Sequence, residues 1–264
     1  MWLYGWAAVA GRHSVGGVVD GAEILPPSIF RRSSSVVPLI RVVPERVRIR
    51  VVSTVHDCKS PESRETGLGA AANAVRAGGL VVLPTDTVYG IGADAFDSHA
   101  VGALLSAKGR GRDMPVPVLV GSWSTVDGLV LSVPQHARAL IEAFWPGGLS
   151  IVLPQAPSLA WDLGNTRGTV NLRMPLYPVA LDLLREVGPM AVSSANRTGQ
   201  APPSTAEQAQ EQLGDSVSVY LDGGPTGEPV ASTIVDLTQP HPRVLREGAV
   251  SIAELTEVLG VEVE

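Results

Sequence analysis

Polar and glycine-rich clusters follow several predicted strands, and the first follows the apolar run 80–83. Residues 84–92 have the sequence Pro-Thr-Asp-Thr-Val-Tyr-Gly-Ile-Gly, which places two hydroxyls, a carboxylate and a phenol after a buried strand. These groups could bind a polar ligand that the glycines let the backbone approach, although a Thr/Asp-rich turn explains the segment equally well. Residues 90–95 also satisfy a loose dinucleotide fingerprint, but no helix begins within them, which argues against a Rossmann site.

A cationic cluster, Lys108-Gly109-Arg110-Gly111-Arg112, follows the next predicted helix. Cations at a helix C-terminus complement the helix dipole, which is a purely structural explanation. Glycines interleaved with Lys and Arg also suit an anion, because Arg offers a planar fork of donors and Lys a point charge. The sequence contains no Gly-x-x-x-x-Gly-Lys-Ser/Thr motif, so the cluster predicts either another kind of anion site or a solvated helix end.

Further polar groups lie toward the C-terminus. Residues 193–199 have the sequence Ser-Ser-Ala-Asn-Arg-Thr-Gly, whose short side chains can bind a substrate or simply form a turn. Ser232 and Arg246 lie on two predicted closing strands, after the glycine-rich segment 222–227, and could hold a phosphate together. Arg173 ends another predicted strand, where a lone cation is commonly a surface ion-pair partner.

Alternating helices and strands must position these clusters. Hydrophobic spacing predicts helices at 66–77, 98–107, 135–144, 179–187, 205–213 and 251–259. Apolar runs predict strands at 80–83, 116–120, 149–153, 169–172, 190–193, 217–221, 232–237 and 243–245. Such alternation is typical of an α/β fold with a mixed sheet flanked by helices. We expect one domain over 53–264, because no linker or repeat interrupts the sequence after residue 66.

The first 52 residues differ in composition from the rest. They carry seven Arg, no Lys and three acids, whereas the remaining residues carry 13 basic and 23 acidic side chains. Only 42–52 alternates Val/Ile with Arg, as an edge strand would. We expect a disordered leader, an Arg-rich transit segment, or a start codon placed too far upstream, with translation beginning near 51–52.

The bulk composition excludes several classes of protein. A net charge of −6 gives no overall case for nucleic-acid binding. Cys58 is the only cysteine, which excludes an internal disulfide and favours the cytoplasm; its polar surroundings predict an ordinary surface or half-buried thiol rather than a nucleophile. The five His show no metal-ligand spacing, and no apolar run approaches the ~20 residues that span a bilayer.

Seven motifs in order resemble the YrdC/TsaC family of threonylcarbamoyl-adenylate synthases. They are Pro-Thr-Asp-Thr-Val-Tyr-Gly (84–90), Lys-Gly-Arg (108–110), Phe-Trp-Pro-Gly-Gly-Leu-Ser (144–150), Asn-Leu-Arg-Met-Pro (171–175), Ser-Ser-Ala-Asn-Arg-Thr-Gly (193–199), Ser-Thr-Ile-Val-Asp (232–236) and Leu-Arg-Glu-Gly (245–248). Each motif is weak alone, whereas their order across 66–259 is specific. The chain resembles the short, single-domain branch of the family.

The resemblance implies a twisted α/β sheet with a concave, basic pocket. It implies that threonine and bicarbonate form a carbamate, which attacks the α-phosphate of ATP and releases pyrophosphate, with Mg²⁺ accompanying ATP and no tightly bound protein metal. It further implies that the product passes to TsaD-, TsaB- and TsaE-like proteins that modify tRNA, with at most a weak contact between this chain and tRNA. No membrane contact is expected.

The resemblance also assigns roles to individual residues. Lys108 and Arg110 would be catalytic, binding carboxylate, carbamoyl or phosphate oxygens. The threonine and bicarbonate site would comprise Thr85, Thr87, Tyr89 and Ser194. The nucleotide site would comprise Arg173 and Pro175 on the adenine side, Asn196, and Ser232 with Arg246 at the AMP phosphate. Catalysis would then rest on positioning and charge neutralisation.

Three departures from the family pattern affect the expected substrate contacts. Gly111 replaces the usual Pro after Lys-x-Arg, Leu119 stands where many relatives have His, and Ala231 stands where Glu is common. Arg112 also adds a cation that could compete with Arg110.

Two alternative functions compete with the synthase interpretation. One is a carbamoyl-adenylate-forming domain of the hydrogenase-maturation type, which normally accompanies acylphosphatase and zinc-finger regions. The other is a module that binds double-stranded RNA or tRNA through the basic pocket. The acidic balance after residue 52 argues against the RNA-binding alternative.

Overall fold

The computed structural model describes residues 53–227 and 230–264. Its strands are β1 Thr54–Asp57, β2 Val81–Leu83, β3 Gly90–Asp94, β4 Val118–Leu119, β5 Leu149–Pro154, β6 Thr169–Arg173, β7 Met190–Ser194, β8 Val219–Asp222, β9 Thr233–Asp236 and β10 Arg243–Arg246. Its α-helices are α1 Pro61–Arg76, α2 Ser98–Lys108, α3 Val126–Leu129, α4 Gln135–Phe144, α5 Pro178–Val187, α6 Ala206–Leu213 and α7 Ile252–Leu259. None of these helices has the length and apolar character needed to cross a bilayer.

The ten strands form one mixed sheet in the order β1-β8-β2-β3-β7-β4-β6-β5-β9-β10. The pairs β1/β8, β2/β8, β4/β6 and β5/β9 are parallel, and the other neighbours are antiparallel. Strands that are distant in sequence therefore lie side by side, as β3 does with β7 and β5 with β9.

Helices cover the two faces of the sheet unequally. Side chains alternate between faces along a strand, so Val82 on β2 joins a large cluster with α2, α4, α6 and α7, while Val81 and Leu83 join a smaller one with α1 and α5. The mixed sheet flanked by helices that the sequence predicts is confirmed. The large cluster is almost entirely aliphatic, with Tyr89, Tyr220 and Trp145 as its fully buried aromatic members.

Most predicted elements agree with the structure to within a few residues, and the exceptions have local causes. Helix α1 begins at Pro61, five residues earlier than predicted, because Ser60 and Ser63 form a capping box with Ser in the place usually held by Glu. Strand β1, which ends just before Cys58, was not predicted. The short helix α3 was not predicted. The edge strand expected at 42–52, like the whole of 1–52, lies outside the described residues.

Strand β3 corrects the expectation of a loop after β2. Gly90 and Gly92 are paired in register with Ser194 and Val192 of β7. A Cβ atom would lie 2.7 Å from Val192 Cγ1 at Gly90 and 2.8 Å from Met190 Cε at Gly92. The glycines therefore let side chains of β7 pack over β3, and the segment that satisfies the dinucleotide fingerprint is a strand of the sheet.

Cys58 corrects the expectation of a surface or half-buried thiol. It is 1% exposed, and its Sγ atom is so close to α1 that a Cβ atom at Gly67 would lie 2.8 Å from it. Burial, with the nearby Asp57 carboxylate as a smaller cause, raises the pKa of Cys58 to about 11. A thiol of that pKa is protonated at neutral pH, which excludes a nucleophilic role.

Two tyrosines hold the turn that follows β8. The fully buried Tyr89 donates its hydroxyl to Gly224 O over 2.6 Å and accepts the Gly223 amide over 3.2 Å. Tyr177 donates to Gly223 O over 2.8 Å. Burial raises the pKa of Tyr89 far above its ordinary value, so its hydroxyl stays protonated and able to donate.

Substitution Tyr89→Phe is expected to lower the free energy of unfolding by about 1 to 3 kcal/mol, because the buried carbonyl of Gly224 and the half-buried amide of Gly223 lose their partner. Urea denaturation measures the change. Ser106→Ala is the control, because Ser106 makes an exposed hydrogen bond within α2 and its removal should be close to neutral. Equal midpoints for Tyr89→Phe and the parent protein would contradict the structural role of this hydroxyl.

Candidate functional site

A cavity of about 290 Å³ lies over the part of the sheet that runs from β3 to β10. Seven neighbouring strands each contribute at least one lining residue, namely β3, β7, β4, β6, β5, β9 and β10. The segments that connect them contribute the rest. All of its lining residues are described; three of them are Arg, and none is Asp or Glu. The lining therefore carries positive charge suited to an anionic ligand.

Strand alternation explains which side chains face the cavity. On β6, Val170 and Leu172 are buried in the large core cluster. Asn171 and Arg173 alternate with them and line the cavity on the other face. The site therefore spreads across a face of the sheet, whereas the sequence predicted that most of the polar clusters lie beyond the ends of strands.

Arg173 is a fixed cation in the cavity wall. Its Nε atom donates to Gly147 O over 2.9 Å, and its Nη1 atom donates to Thr87 Oγ1 over 2.8 Å. Its Nη2 atom donates to Asp86 Oδ1 over 2.7 Å, and the same oxygen accepts the Leu176 amide over 2.9 Å. Arg173 is 6% exposed, so this ion pair joins the segment after β2 to β6 from within the protein.

The two threonine hydroxyls are oriented by the same network. Thr85 Oγ1 has one proton, which it donates to Val88 O over 2.6 Å. The 3.1 Å contact between Thr85 Oγ1 and Thr87 Oγ1 must therefore use the proton of Thr87, while Thr87 Oγ1 accepts from Arg173. Thr85 Oγ1 also accepts the amides of Thr87 and Val88 over 3.2 and 3.3 Å, so its acceptor capacity is used inside the protein. Only Thr87 Oγ1 keeps a lone pair that a ligand could use.

Lys108 lies behind the cavity wall. It is the last residue of α2, is 3% exposed, and is followed by Gly109, which ends the helix in the left-handed conformation with a φ of 61°. Its ammonium donates to Ser194 O and, over 2.6 Å, to Asn196 O. Burial, and second the charge of Arg110, lower the pKa of Lys108 to about 8.

Arg110 faces the cavity directly. Its Nη1 atom donates to Ser193 Oγ over 3.1 Å and its Nη2 atom to Pro115 O over 3.3 Å. Its buried Nε atom has no hydrogen-bond partner within 53–227 and 230–264. Burial lowers the pKa of Arg110, yet an Arg side chain stays charged, so the guanidinium is available to an anion.

Arg112 does not compete for this anion site. It forms a two-bond ion pair with Asp162, with N–O distances of 2.6 and 2.9 Å, and its side chain is 57% exposed. This pair lies outside the cavity and ties the segment after α2 to the loop before β6.

A second cationic group faces the cavity from β10. Arg246 donates from Nε and Nη2 to Ser232 O over 3.0 and 2.7 Å, and from Nη2 to Ser232 Oγ over 3.0 Å. Ser150 Oγ on β5 lies 2.9 Å from Ser232 Oγ. No carboxylate of the described chain pairs with Arg246, so a guanidinium and two hydroxyls meet where a phosphate oxygen could bind.

Seven of the eleven predicted site residues line one cavity: Thr85, Thr87, Arg110, Arg173, Ser194, Ser232 and Arg246. The other four, Lys108, Tyr89, Asn196 and Pro175, are buried outside its lining. Three further lining residues carry polar side chains that received no individual role from the sequence, namely Ser150, Asn171 and Ser193, although Ser193 begins the 193–199 cluster. The structural role of Asp86 was not predicted. The signal for Asn171 was available, because it is two residues before Arg173 on the same strand face.

Comparison with known proteins identifies the fold and its lineage. A family model named Sua5_yciO_yrdC, with the description "Telomere recombination", matches residues 73–248, which is more than half of the chain. The chain belongs to the Sua5/YciO/YrdC family. A relative from Mycobacterium tuberculosis (strain ATCC 25618 / H37Rv) is 68% identical over 206 residues, which are 78% of this chain and 95% of that protein.

Other Sua5/YciO/YrdC relatives agree in sequence and in structure. A Bacillus subtilis protein named threonylcarbamoyl-AMP synthase is 38% identical over 73% of this chain and 56% of its own. The crystal structure of Pyrococcus abyssi Sua5 complexed with L-threonine has a TM-score of 0.75 at 33% identity and covers 80% of this chain and 63% of that one. Escherichia coli YciO has a TM-score of 0.70 at 25% identity, over 77% of this chain and all of that one. These matches confirm the YrdC-like twisted sheet.

Two of the three departures from the Sua5/YciO/YrdC pattern lie in the cavity lining. Leu119 on β4 and Ala231 before β9 both line it, so the wall is apolar at two positions where the family resemblance leads us to expect a polar side chain. Gly111 lies outside the lining, and a Cβ atom there would meet the Asp113 carboxylate at 2.3 Å. Because Leu119 and Ala231 offer a ligand no polar side-chain atom, recognition at this wall falls to Arg110, Arg246 and the serines.

Substitution Asp86→Ala is expected to lower the free energy of unfolding by about 3 to 5 kcal/mol, because it leaves the Arg173 charge buried without its partner. Guanidinium denaturation measures the loss. The control is Asp162→Ala, which removes the partner of the exposed Arg112 and should cost less than about 1 kcal/mol. Equal losses for the two variants would show that the Asp86 pair does not support the fold.

The lowered pKa of Lys108 has a direct test, because the chain contains only two lysines. In protein labelled with ¹³C at lysine Cε, one signal should titrate near pH 8, and the other, from Lys59, above its ordinary pKa because Lys59 hydrogen-bonds Asp222. Raising the pH from 7 to 9 should therefore deprotonate Lys108 and leave Lys59 protonated. Lys59→Gln assigns the signals, and two titrations above pH 10 would contradict the buried placement of Lys108.

Proposed function

We propose that this chain is an enzyme, an L-threonylcarbamoyladenylate synthase of the nucleotidyltransferase class. The amine of L-threonine adds to the carbon of bicarbonate and water leaves, which gives a carbamate. A carbamate oxygen then attacks the α-phosphorus of ATP. The bond from that phosphorus to the bridging oxygen breaks, so pyrophosphate leaves with that oxygen and threonylcarbamoyl-AMP remains.

One observation carries this proposal: Arg110 and Arg246, neither of them paired with a carboxylate among the described residues, face one cavity together with several hydroxyls. The reaction needs such an arrangement, because a carbamate and a triphosphate are both anionic and must approach each other. The names of relatives from Bacillus subtilis and Pyrococcus abyssi, and the threonine complex of Pyrococcus abyssi Sua5, support the same activity.

The geometry suggests separate duties for the two cations. Arg246, Ser232 and the neighbouring Ser150 would bind the α-phosphate and stabilise the charge that builds on its oxygens during attack. Arg110 would bind the threonine carboxylate or the carbamate, with Ser194 nearby. In these roles the two arginines would bring the reacting oxygen and phosphorus into contact.

The uncharged threonine atoms would bind beside the segment after β2. Thr87 can only accept from a ligand, which suits the amine and hydroxyl protons of threonine, and Thr85 would act by orienting the Thr87 hydroxyl. Lys108, Asn196 and Tyr89 would act from behind the wall, Lys108 by holding the carbonyls of the 193–199 segment in place. Arg173 and Pro175 would support the wall.

Magnesium would accompany ATP and reduce the charge of its phosphates. The cavity lining offers no Asp or Glu oxygen, and within the described residues no group of three or more His, Cys, Asp and Glu is placed to hold a metal. These donors do not fit a metal held by the protein, so we derive no step through one.

We further propose that residues 53–264 form the catalytic domain and that it works in the cytoplasm. Its product would pass to TsaD-, TsaB- and TsaE-like proteins for tRNA modification, with a weak tRNA contact at most. The likeness of the chain to threonylcarbamoyl-AMP synthases supports these assignments.

Pyrophosphate release from ATP by the purified chain, with and without L-threonine and bicarbonate, tests the reaction. Release that requires both, with threonylcarbamoyl-AMP detected by mass spectrometry, is the expected result. Release with carbamoyl phosphate instead of threonine would favour the hydrogenase-maturation alternative. Folded protein that binds double-stranded RNA in a salt-dependent manner but releases no pyrophosphate would favour the RNA-binding alternative.

Substitution Arg246→Ala is expected to lower kcat/KM for ATP by more than about tenfold, because the developing phosphate charge loses its cationic partner. Lys108→Ala should also lower activity by more than about tenfold, through displacement of the 193–199 carbonyls. Arg243→Ala is the matched control, because Arg243 lies on the same strand, is 61% exposed and pairs with Asp236. An Arg246→Ala enzyme as active as Arg243→Ala would refute the phosphate role.

A further inference from the structure

The segment that joins β7 to α6, residues 195–205, forms one edge of the candidate active site, and we call it the rim loop. It follows Ser194 directly, and Pro202 within it lines the cavity, as Ser194 does. Its position therefore decides where the Ser194 hydroxyl and the Pro202 ring meet a ligand. A loop that shapes a site in this way must be held by contacts outside the cavity.

Lys108 holds the inner side of the rim loop. Its ammonium donates to Ser194 O and Asn196 O, and its own carbonyl accepts the Thr198 amide over 2.8 Å. Asn196 Nδ2 adds a bond within the loop, to Arg197 O over 2.9 Å. These contacts fix the first half of the rim loop against the end of α2, and they leave its outer side to other residues.

Gln212 holds the outer side of the rim loop through both ends of its amide. Its Oε1 atom accepts the Arg197 amide over 3.0 Å, and its Nε2 atom donates to Ala201 O over 3.1 Å. A glutamine amide carries an acceptor and two donors, so one side chain can bond a backbone N–H and a backbone C=O at once. Because Arg197 and Ala201 are four residues apart, the two bonds span the turn between them.

Helix α6 gives this clamp a rigid base. Its residues Ala209 and Leu213 are buried in the large core cluster, which fixes the helix against the sheet. Gln208 lies one turn before Gln212 on the same face of the helix. Its Oε1 atom accepts Ser204 N over 2.9 Å and Ser204 Oγ over 3.1 Å. The two glutamines therefore connect both halves of the rim loop to the hydrophobic core.

We propose that Gln212 is a positioning residue of this enzyme, which holds the rim loop so that Ser194 and Pro202 stay in place around the threonine part of the bound ligand. Gln212 belongs to none of the seven motifs and does not line the cavity, so it acts through the loop. Arg246 lies on β10, which is not adjacent to β7 in the sheet, so the proposed phosphate position should depend far less on Gln212. The inference rests on the proposed function for the identity of the ligand.

Amide hydrogen exchange tests the clamp without any turnover. Gln212→Ala should fold normally, since Ala favours a helix, and should speed exchange in a peptide covering 195–205 by about tenfold or more, because the Arg197 amide loses its acceptor. Gln210→Ala is the matched control, because Gln210 lies on the same helix and its side chain makes no hydrogen bond within the described residues. Equal exchange in the two variants would overturn the proposal.

Steady-state kinetics separate positioning from a general loss of structure. Gln212→Ala should raise the KM for threonine about fivefold or more, while the KM for ATP stays within about twofold. An unchanged KM for threonine, or equal rises in both KM values, would contradict the role. If the parent protein releases no pyrophosphate, the proposed function fails on its own, and the exchange measurement still decides whether Gln212 holds the rim loop.

Substitution Gln212→Glu adds a readout that a merely structural role would not move. A carboxylate can accept the Arg197 amide but cannot donate to Ala201 O, whereas the protonated acid has both a donor and an acceptor. The nearby carbonyl disfavours the charged form, so the pKa of the new carboxyl should lie above its ordinary value of about 4.3. The threonine KM of the variant, divided by that of the parent protein, should therefore fall toward one as the pH is lowered from 8 to 5. A ratio that does not change with pH would show that the donor to Ala201 O has no part in positioning.

Discussion

The ion pair between Arg173 and Asp86 is the interaction on which the rest of the site depends. It connects three segments that are remote in sequence: the one after β2, the turn at Gly147 and the strand β6. Because both side chains are largely buried, their charges offset each other inside the protein and contribute little to the field in the cavity. Arg110 and Arg246 then remain as the cations that a ligand meets, and Thr87 is held in the one orientation that presents an acceptor.

The order of helices and strands could be predicted from sequence because it depends on local periodicity. Continuous apolar runs marked most buried strands, and helical spacing with glycine ends marked most helices. Strand β3 could not be predicted this way, because Gly90 and Gly92 lack side chains that show a period, and their strand conformation depends on pairing with β7. The order of strands in the sheet was equally out of reach, since it is fixed by contacts between distant segments.

The candidate site was predicted in its composition but only partly in its geometry. The resemblance named residues whose side chains mostly line one cavity, yet it could not separate Arg246, which faces that cavity, from Lys108, which lies behind its wall. That distinction depends on which neighbours bury each side chain, and burial is a property of the folded sheet. Asn171 could have been recognised, because it lies two residues before Arg173 on the same strand and its side chain therefore faces the same cavity.

The place of Arg246 on the last strand has a consequence for biosynthesis. Strand β10 pairs with β9, and β9 in turn completes its place in the sheet beside β5, far earlier in the chain. A ribosome must therefore translate past residue 246 and release that stretch from its exit tunnel before the proposed phosphate position can form. Shorter nascent chains can bury much of the core, yet they lack the guanidinium that would hold a nucleotide, so ligand binding cannot assist their folding.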